Sequence, residues 1–130
     1  SRPLYGFENT EHTINNEGPY AFYYHNKIYL AYSGGDARGY LYAIGMLTAN
    51  DGDDLCDLSV WEKAKTPIAS FATIPGEYGP GHNSFFWDRD QNLWIAYHAV
   101  TSFEEKIVSS GMRRVYFEQD KTPRFDVIVE

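Results

Sequence analysis

Two polar residues of this chain follow turn-forming sequences in corresponding settings. Glu17 lies in the run NNEGP, and His82 lies in the run GPGHN. Glycine and proline allow the backbone to turn sharply at these places and to present a polar side chain. A lone glutamate before Gly-Pro is more often a turn residue than a catalyst. The second polar residue in a matching setting favours a functional role for both.

Glu17 and His82 occupy the same position of an internal repeat. With an offset of 65 residues, the segments EGPYAFYYHNKIYLAYS and HNSFFWDRDQNLWIAYH align without a gap. Each copy contains an aromatic-rich segment, a polar turn and a second apolar segment, a pattern that predicts a β-hairpin. The strands predicted for the two hairpins cover residues 20–24, 28–32, 85–87 and 93–97.

A third strand is predicted after each hairpin, over residues 40–46 in the first copy and 112–117 in the second. The segment around residues 68–71 would close the first unit as an outer strand. Sets of three or four antiparallel strands that repeat at this spacing are typical of β-propeller blades. We therefore predict an all-β fold of antiparallel, four-stranded propeller blades, with a small β-sandwich as the alternative.

The predicted blades divide one partial propeller domain, residues 1–130, into a first blade over about 12–75 and a second over about 76–130. The first strand of each blade lines the axis of a propeller, so Glu17 and His82 are expected to converge in one polar cavity. Closing a propeller takes about four to eight blades. The chain is therefore expected to be incomplete or to assemble with other blades.

Composition excludes several classes of function. A net charge of -7 and a pI near 5.0 argue against a nucleic-acid partner, because phosphates would be repelled. The sequence has no run of apolar residues long enough for a membrane span and no leader-like start. Neither observation decides between a cytoplasmic and a secreted protein. Cys56, the single cysteine, is predicted to be an inert, partly buried thiol.

Five segments in the same order, INNEGP, GPGHNSF, AYH, GMRRV and TPRF, resemble glycoside hydrolase family 43. Among the subgroups of that family, the chain looks most like the exo-acting α-L-arabinofuranosidases, which degrade polysaccharides. The resemblance implies a five-bladed propeller, of which this chain would form the carboxy-terminal two to three blades. It also implies hydrolysis with inversion by three carboxylates on the first strands of successive blades.

The same resemblance implies roles for three residues. Glu17 matches the general acid of the family. His82 matches a histidine near the axis that contacts the substrate region and, in many members, a central calcium ion or its water shell. Arg113 matches an arginine that hydrogen-bonds sugar hydroxyls. A hydrogen-bonded core histidine and a solvated surface arginine are the structural alternatives for these last two residues.

Aromatic residues of the predicted strands are a further group of candidates. Their rings have the size and shape to stack on a sugar, although aromatic side chains in strands more often belong to the core. The candidates are Tyr20, Tyr78, Phe85 and Trp87.

An inverting hydrolase also needs a carboxylate base about 6.5 to 9.5 Å from the acid. By the resemblance, that base and a second aspartate lie on blades that would precede Ser1. Asp36 and Asp88 follow strands and are predicted to be turn residues.

Our first hypothesis is a glycosidase acting on arabinan, arabinoxylan or xylo-oligosaccharides, with its base supplied by an upstream segment or another chain. Exposed blade edges tend to pair, so the chain is not expected to be a stable monomer. The alternatives are an inactive carbohydrate-binding module and a truncated product without a role.

Overall fold

The computed structural model describes residues 2–127, which form antiparallel strands and two short 3-10 turns, Gly6–Glu8 and Leu58–Val60. The outer limits of the predicted domain, Ser1 and residues 128–130, lie outside the described residues. The strands are β1 (Asn9–Thr10), β2 (Thr13–Ile14), β3 (Asn16–Tyr24), β4 (Lys27–Gly34), β5 (Ala43–Asn50), β6 (Glu62–Lys63), β7 (Tyr78–Trp87), β8 (Leu93–Ser102), β9 (Ile107–Arg114), β10 (Tyr116–Phe117) and β11 (Pro123–Arg124).

The first sheet consists of four antiparallel strands in the order β3-β4-β5-β6. A two-residue turn, His25-Asn26, joins β3 to β4, and both residues have positive φ, 44° and 63°. Two consecutive positive φ values are characteristic of the tight turns that match the twist of a hairpin. The first predicted hairpin is confirmed, with Lys27 beginning the strand β4 rather than ending the turn.

The second sheet consists of three antiparallel strands in the order β7-β8-β9. Residues 88–92 connect β7 to β8, as predicted. Asp88 organises this connection, because its carboxylate accepts hydrogen bonds from the Trp94 indole at 2.8 Å and the Asn92 amide at 3.0 Å. These two donors hold the pKa of Asp88 at about 2. The carboxylate therefore stabilises the turn.

The two sheets stack face to face, and the two faces that meet are formed by residues that are not equivalent in the two copies of the repeat. The first sheet buries Tyr29 against the second sheet, whereas the second sheet buries Leu93 and Ile95. The sequence repeat places Tyr29 over Trp94, so the two copies turn different faces toward the shared core. Phe22 and Phe85 meet there with ring centroids 4.6 Å apart. Stacking of this kind leaves the far face of the second sheet, which includes Phe86 and Met112, open to solvent.

Several predicted strand bounds are wrong. The third strand of the first sheet is β5 and not 40–46, because residues 40–42 leave the sheet before β5 begins. The third strand of the second sheet, β9, ends at Arg114 instead of continuing through residue 117. The outer strand of the first sheet is β6, and the segment around 68–71 contributes a single bridge, between Ala69 and Ile44.

The two sheets, within residues 16–63 and 78–114, lie on either side of the predicted blade boundary near residue 75.

Cys56 is exposed, so the prediction of a partly buried thiol is wrong. Among residues 2–127, no helix has the length and apolar character needed to cross a membrane.

Candidate functional site

Glu17 lies at the start of β3, where a bulge changes the direction of the strand. It pairs with Ser33 of β4, and the register then shifts between Glu17 and Tyr20. Gly18 supplies the unusual backbone conformation of the bulge, with φ of 58°. Bulges commonly re-aim a neighbouring side chain. The NNEGP run therefore presents the Glu17 carboxylate at one end of the first sheet.

Tyr42 holds this carboxylate. Its side chain is completely buried, and its hydroxyl donates to Glu17 Oε1 at 2.7 Å. Burial raises the pKa of Tyr42, and the neighbouring Glu17 carboxylate raises it further, so the phenol remains a donor at neutral pH. The Tyr42 ring packs directly over Gly81, where an added Cβ would lie 2.0 Å from a ring carbon. Only glycine at position 81 leaves room for this contact.

His82 lies beside the bulge that carries Glu17. Its backbone N–H donates to the buried Ser33 hydroxyl at 2.7 Å, which connects β7 to β4. A Cβ on Gly18 would be 3.7 Å from His82 Nδ1, so the two predicted turn segments are in direct proximity. His82 itself is exposed and has a positive φ of 49°. The structure thus brings Glu17 and His82 together at one site.

His98, a residue that the sequence analysis did not single out for a role, belongs to the same site. Its ring centroid is 6.3 Å from that of His82 and 6.0 Å from that of Tyr42. Burial lowers the pKa of His98, and His82 lowers it further, while Glu17 acts in the opposite direction. Its buried Nδ1 has no hydrogen-bond partner within residues 2–127. A neutral imidazole therefore faces the site.

Tyr42 and His98 are the site residues that the sequence analysis missed. The repeat contained a signal for His98. The alignment that places Glu17 over His82 also places Ser33, which contacts the His82 backbone, over His98. Tyr42 carries no such signal, since residues 40–42 were assigned to a strand.

A groove of about 500 Å³ opens beside His82 and His98 on the far face of the second sheet. Its other lining residues are Ser84, Ala96, Tyr97, Ser110, Gly111 and Met112. The site is thus closed on the side of Tyr42 and open along this groove.

Arg113 lies on the opposite face of the second sheet from His98. Successive residues of a strand point to opposite faces, and Arg113 pairs with Ile95 whereas His98 pairs with Ser110. The Arg113 guanidinium donates from Nε to the Tyr97 hydroxyl at 2.9 Å and from Nη2 to Glu77 Oε1 at 3.0 Å. The structure therefore does not group Arg113 with Glu17 and His82.

The four aromatic candidates separate into different environments. Phe85 is a core residue, and Tyr20 lies against it with ring centroids 6.1 Å apart. Trp87 ends β7, far along the strand from His82. Tyr78 begins β7 at the end nearer the site. Tyr78 is therefore the candidate whose position in its strand is closest to the site.

Asp36 and Asp88 both belong to turns. Asp36 follows β4 and accepts a hydrogen bond from the Arg38 backbone at 2.9 Å, and Asp88 organises the β7–β8 connection. Residues 2–127 contain no group of three or more His, Cys, Asp and Glu side chains that is able to hold a metal ion. Calcium prefers six to eight oxygen ligands. The residues described do not form a calcium cage around His82.

Comparison with known proteins places this site in context. The family model described as Glycosyl hydrolases family 43 matches residues 3–123. An extracellular exo-α-(1→5)-L-arabinofuranosidase of Streptomyces avermitilis is 30% identical over 137 aligned residues, which cover 99% of this chain and 28% of that relative. An enzyme of the same name from Streptomyces chartreusis is 37% identical over 100 residues, covering 76% of this chain and 30% of that relative.

A solved structure of similar fold is the α-L-arabinofuranosidase from Lactobacillus brevis. It is 30% identical in sequence and superposes with a TM-score of 0.84, covering 96% of this chain and 40% of that one. The predicted fold class, antiparallel sheets of a β-propeller, is confirmed. The chain spans less than one third of the curated relatives described above.

Proposed function

Since the chain belongs to glycosyl hydrolase family 43, we propose that it supplies the acid half of the active site of an inverting, exo-acting α-L-arabinofuranosidase. The names of the curated relatives support the choice of sugar. Arabinan and arabinoxylan oligosaccharides, with xylo-oligosaccharides as related substrates, are the proposed substrates. The proposal concerns an enzyme that is larger than this chain.

Glu17 is proposed to act as the general acid. Its proton is transferred to the glycosidic oxygen as the bond between this oxygen and the anomeric carbon breaks. A water molecule attacks the anomeric carbon from the opposite face and gives its proton to a carboxylate base. That base would come from blades outside this chain, because Asp36 and Asp88 are both committed to turns.

The contact between Tyr42 and Glu17 is the observation that carries this proposal. A general acid must hold its carboxyl group in one orientation toward the leaving oxygen. The buried Tyr42 hydroxyl provides that orientation through Glu17 Oε1. The second oxygen, Oε2, remains for the proton that is transferred. A glutamate whose only role was in a turn would not need a buried hydrogen-bond donor such as Tyr42, whose ring packs against Gly81.

His82 and Arg113 are proposed as substrate-binding residues. His82 is exposed beside Glu17, so its imidazole is accessible to sugar hydroxyls. The hydrogen bonds of Arg113 to Tyr97 and Glu77 engage Nε and Nη2, and its side chain is 31% exposed. A calcium ion beside His82 stays a prediction, and its oxygen ligands would have to come largely from other blades or water.

Association with other blades is part of the proposal. The far face of the second sheet exposes apolar side chains, among them Phe86 at 42% and Met112 at 66%. Burying such a face is favourable. We expect the isolated chain to self-associate or to bind the blades that carry the base. Sedimentation of a monodisperse monomer would contradict this expectation.

The experiment compares two substrate classes in a reconstituted enzyme. The amino-terminal blades of the Lactobacillus brevis enzyme, joined upstream of this chain, would supply a base. Glu17→Gln should then lower hydrolysis of arabino-oligosaccharides by about 10²- to 10⁴-fold. It should affect nitrophenyl arabinofuranoside much less, because nitrophenolate leaves without protonation. Glu62→Gln, which changes an exposed carboxyl group of the same type on β6, is the control.

Three results would contradict the proposal. An equal loss on both substrates would mean that Glu17 does not protonate the leaving group. Hydrolysis by the unjoined chain, abolished in Glu17→Gln, would mean that the base lies within these 130 residues or in a second copy. Oligosaccharide binding without turnover in the reconstituted enzyme would favour the inactive carbohydrate-binding module.

A further inference from the structure

Four aromatic side chains meet at the surface next to the candidate site, and we call them the aromatic cluster: Tyr40, Phe71, Tyr78 and Phe103. The ring of Tyr40 is central, with centroids 4.8 Å from Tyr78, 4.9 Å from Phe71 and 5.7 Å from Phe103. The Tyr78 and Phe103 rings are also 5.7 Å apart. These distances lie within the range of favourable ring contacts. The cluster is therefore a continuous aromatic surface.

The aromatic cluster is joined to the site by two backbone segments that run side by side. The Gly79 N–H donates to the Tyr40 carbonyl at 3.1 Å. Two residues further along each segment, the Tyr42 ring packs over Gly81. Tyr40 and Tyr78 therefore lie at the outer end of this pair of segments, and the Tyr42–Glu17 contact lies at the inner end.

Close packing holds the outer end in place. An added Cβ on Gly79, whose φ is 53°, would be 2.4 Å from the Gly39 carbonyl oxygen. The Tyr40 N–H donates to Glu11 Oε1 at 3.2 Å, which attaches the same segment to the chain before β2. The rings thus sit on backbone that is fixed on two sides. A preformed surface of this kind loses little conformational entropy on binding.

The aromatic cluster remains exposed although its rings are large and apolar. Tyr40, Phe71 and Phe103 are 37%, 41% and 43% exposed, whereas the core rings Phe22 and Phe85 are 7% and 5% exposed. Three of the four rings come from connections between strands and the fourth, Tyr78, from the first residue of β7, so the sheets do not need them for their own packing. Contiguous exposed apolar surface next to a site commonly marks a ligand surface.

We propose that the aromatic cluster is a stacking platform for the sugar rings of an oligosaccharide beyond the residue that is released. This inference rests on the proposed function, which places the scissile bond at Glu17. Sugar rings present C–H groups on their faces, and aromatic rings bind such faces through apolar and electrostatic contact. The platform would extend the site outward from the leaving group.

The platform is suited to a neutral glycan. The exposed carboxylates Glu104 and Glu105 follow Phe103 in the chain, while the Glu77 carboxylate beside Tyr78 is paired with Arg113. The whole chain has a net charge of -7. Like charges repel, so an acidic polysaccharide would be disfavoured at this surface. Neutral arabino- or xylo-oligosaccharides are the class of ligand that fits both the rings and the charge.

The test measures binding of neutral arabino-oligosaccharides of increasing length to this chain by isothermal titration calorimetry. Affinity is expected to rise with length until the platform is covered. Phe103→Ala and Tyr40→Ala should each weaken binding of the longer ligands by about two- to tenfold. Tyr23→Ala removes a similarly exposed ring, 49% exposed, from the first hairpin and should leave binding unchanged. Urea unfolding of each variant confirms that it is folded, and Phe103→Leu replaces any variant that is not.

Three outcomes would overturn the proposal: affinity independent of ligand length, equal losses for Tyr23→Ala and Phe103→Ala, and tighter binding of polygalacturonate than of the neutral ligand. In the reconstituted enzyme, the two cluster variants should slow hydrolysis of long oligosaccharides and spare nitrophenyl arabinofuranoside. If only the platform proposal is wrong, the two cluster variants hydrolyse both substrates at the wild-type rates. If only the proposed function is wrong, the reconstituted enzyme hydrolyses neither substrate, but the affinity of the chain still rises with ligand length.

Discussion

A tyrosine, a glutamate and a basic residue come together at each of the two sheets, but the two groups differ in exposure. In the first sheet, Tyr32 pairs across the strands with Gly45. Burial raises the pKa of Tyr32, and the neighbouring Glu8 carboxylate raises it further. Lys63 forms an ion pair with Glu8, and its Nζ lies 5.1 Å from the centroid of the Tyr32 ring. We call Tyr32, Glu8 and Lys63 the first triad.

The second sheet repeats this arrangement with Tyr97, which pairs across the strands with Gly111. The Tyr97 hydroxyl donates to Glu77 Oε2 at 2.5 Å and accepts from Arg113 Nε at 2.9 Å. Burial and the Glu77 carboxylate raise the pKa of Tyr97 to about 12, although Arg113 acts in the opposite direction. We call Tyr97, Glu77 and Arg113 the second triad.

The difference between the triads lies in their access to water. The side chains of Lys63 and Glu8 are 9% and 0% exposed, whereas those of Arg113 and Glu77 are 31% and 22% exposed. The first triad secures the amino-terminal segment against its sheet, because the Glu8 carboxylate also accepts hydrogen bonds from the Leu4 and Tyr5 backbone. The second triad leaves a guanidinium at the surface. Equivalent tyrosines of the repeat, Tyr32 and Tyr97, therefore contact a buried ion pair in one sheet and a partly exposed one in the other.

The largest expected effect comes from breaking the first triad. Glu8→Ala would leave the buried Lys63 ammonium without its carboxylate, which typically costs about 3 to 5 kcal/mol. Urea unfolding followed by circular dichroism measures the loss of stability. Glu105→Ala, at an exposed position, is the control and should change stability little. A loss no greater than that of the control would mean that the first triad is not structural.

The first triad should also make stability depend on acid. Burial alone would raise the pKa of Glu8, but Lys63 and the Tyr5 and Leu4 N–H groups lower it to about 2 from an ordinary value of 4.5. A carboxyl group with a depressed folded-state pKa stabilises the fold above its unfolded-state pKa, and this contribution is lost as pH falls toward 2. Urea midpoints measured from pH 5 to about pH 2 should fall less in Glu8→Gln than in wild type. Parallel curves would refute the assignment.

An intermediate effect is expected from the glycines that face the two tyrosines. A Cβ on Gly45 would lie 2.3 Å from the Tyr32 ring, whereas a Cβ on Gly111 would lie 3.3 Å from the Tyr97 ring. Gly45→Ala should therefore destabilise the protein by about 1 to 3 kcal/mol, as overpacked cores do. Gly111→Ala should cost less, since a shift of a few tenths of an ångström relieves its contact. Equal thermal shifts for the two variants would show that the sheets tolerate the added methyl alike.

The smallest effect is expected from the second triad. Glu77→Ala removes a partly exposed ion pair with Arg113 and the acceptor of the Tyr97 hydroxyl, which together contribute about 1 to 2 kcal/mol. Stability in urea unfolding should fall by about this amount, which is less than the loss in Glu8→Ala. A loss comparable to that of Glu8→Ala would remove the contrast between the triads. It would also weaken the proposal that Arg113 is available to a sugar.

Sequence reasoning predicted the hairpins because alternation and turn residues act over a few neighbouring positions. The tight His25-Asn26 turn and the Asp88 turn both follow from local chemistry. The repeat also predicted that the segments of Glu17 and His82 would meet. The bounds of β5 and β9 were wrong because the register of a third strand depends on its pairing with the second strand.

The partners of the site residues were not predictable in the same way. Tyr42 leaves the first sheet to reach Glu17, and the space for its ring exists only because Gly81 of the second sheet lacks a side chain. The unpartnered nitrogen of His98 is likewise a consequence of burial between elements. These contacts join residues that are distant in sequence, so no local pattern contains them.

The sequence by itself determined the hairpin strands, the repeat and the polar residues at the starts of β3 and β7. Alternating side chains and turn-forming residues carry this information locally. Only the tertiary structure decided which face of each sheet is buried. Stacking two copies of one repeat joins opposite faces, so equivalent residues such as Tyr29 and Trp94 meet different surroundings. Burial then makes the first triad structural, while solvent access leaves Arg113 and the aromatic cluster available to a ligand.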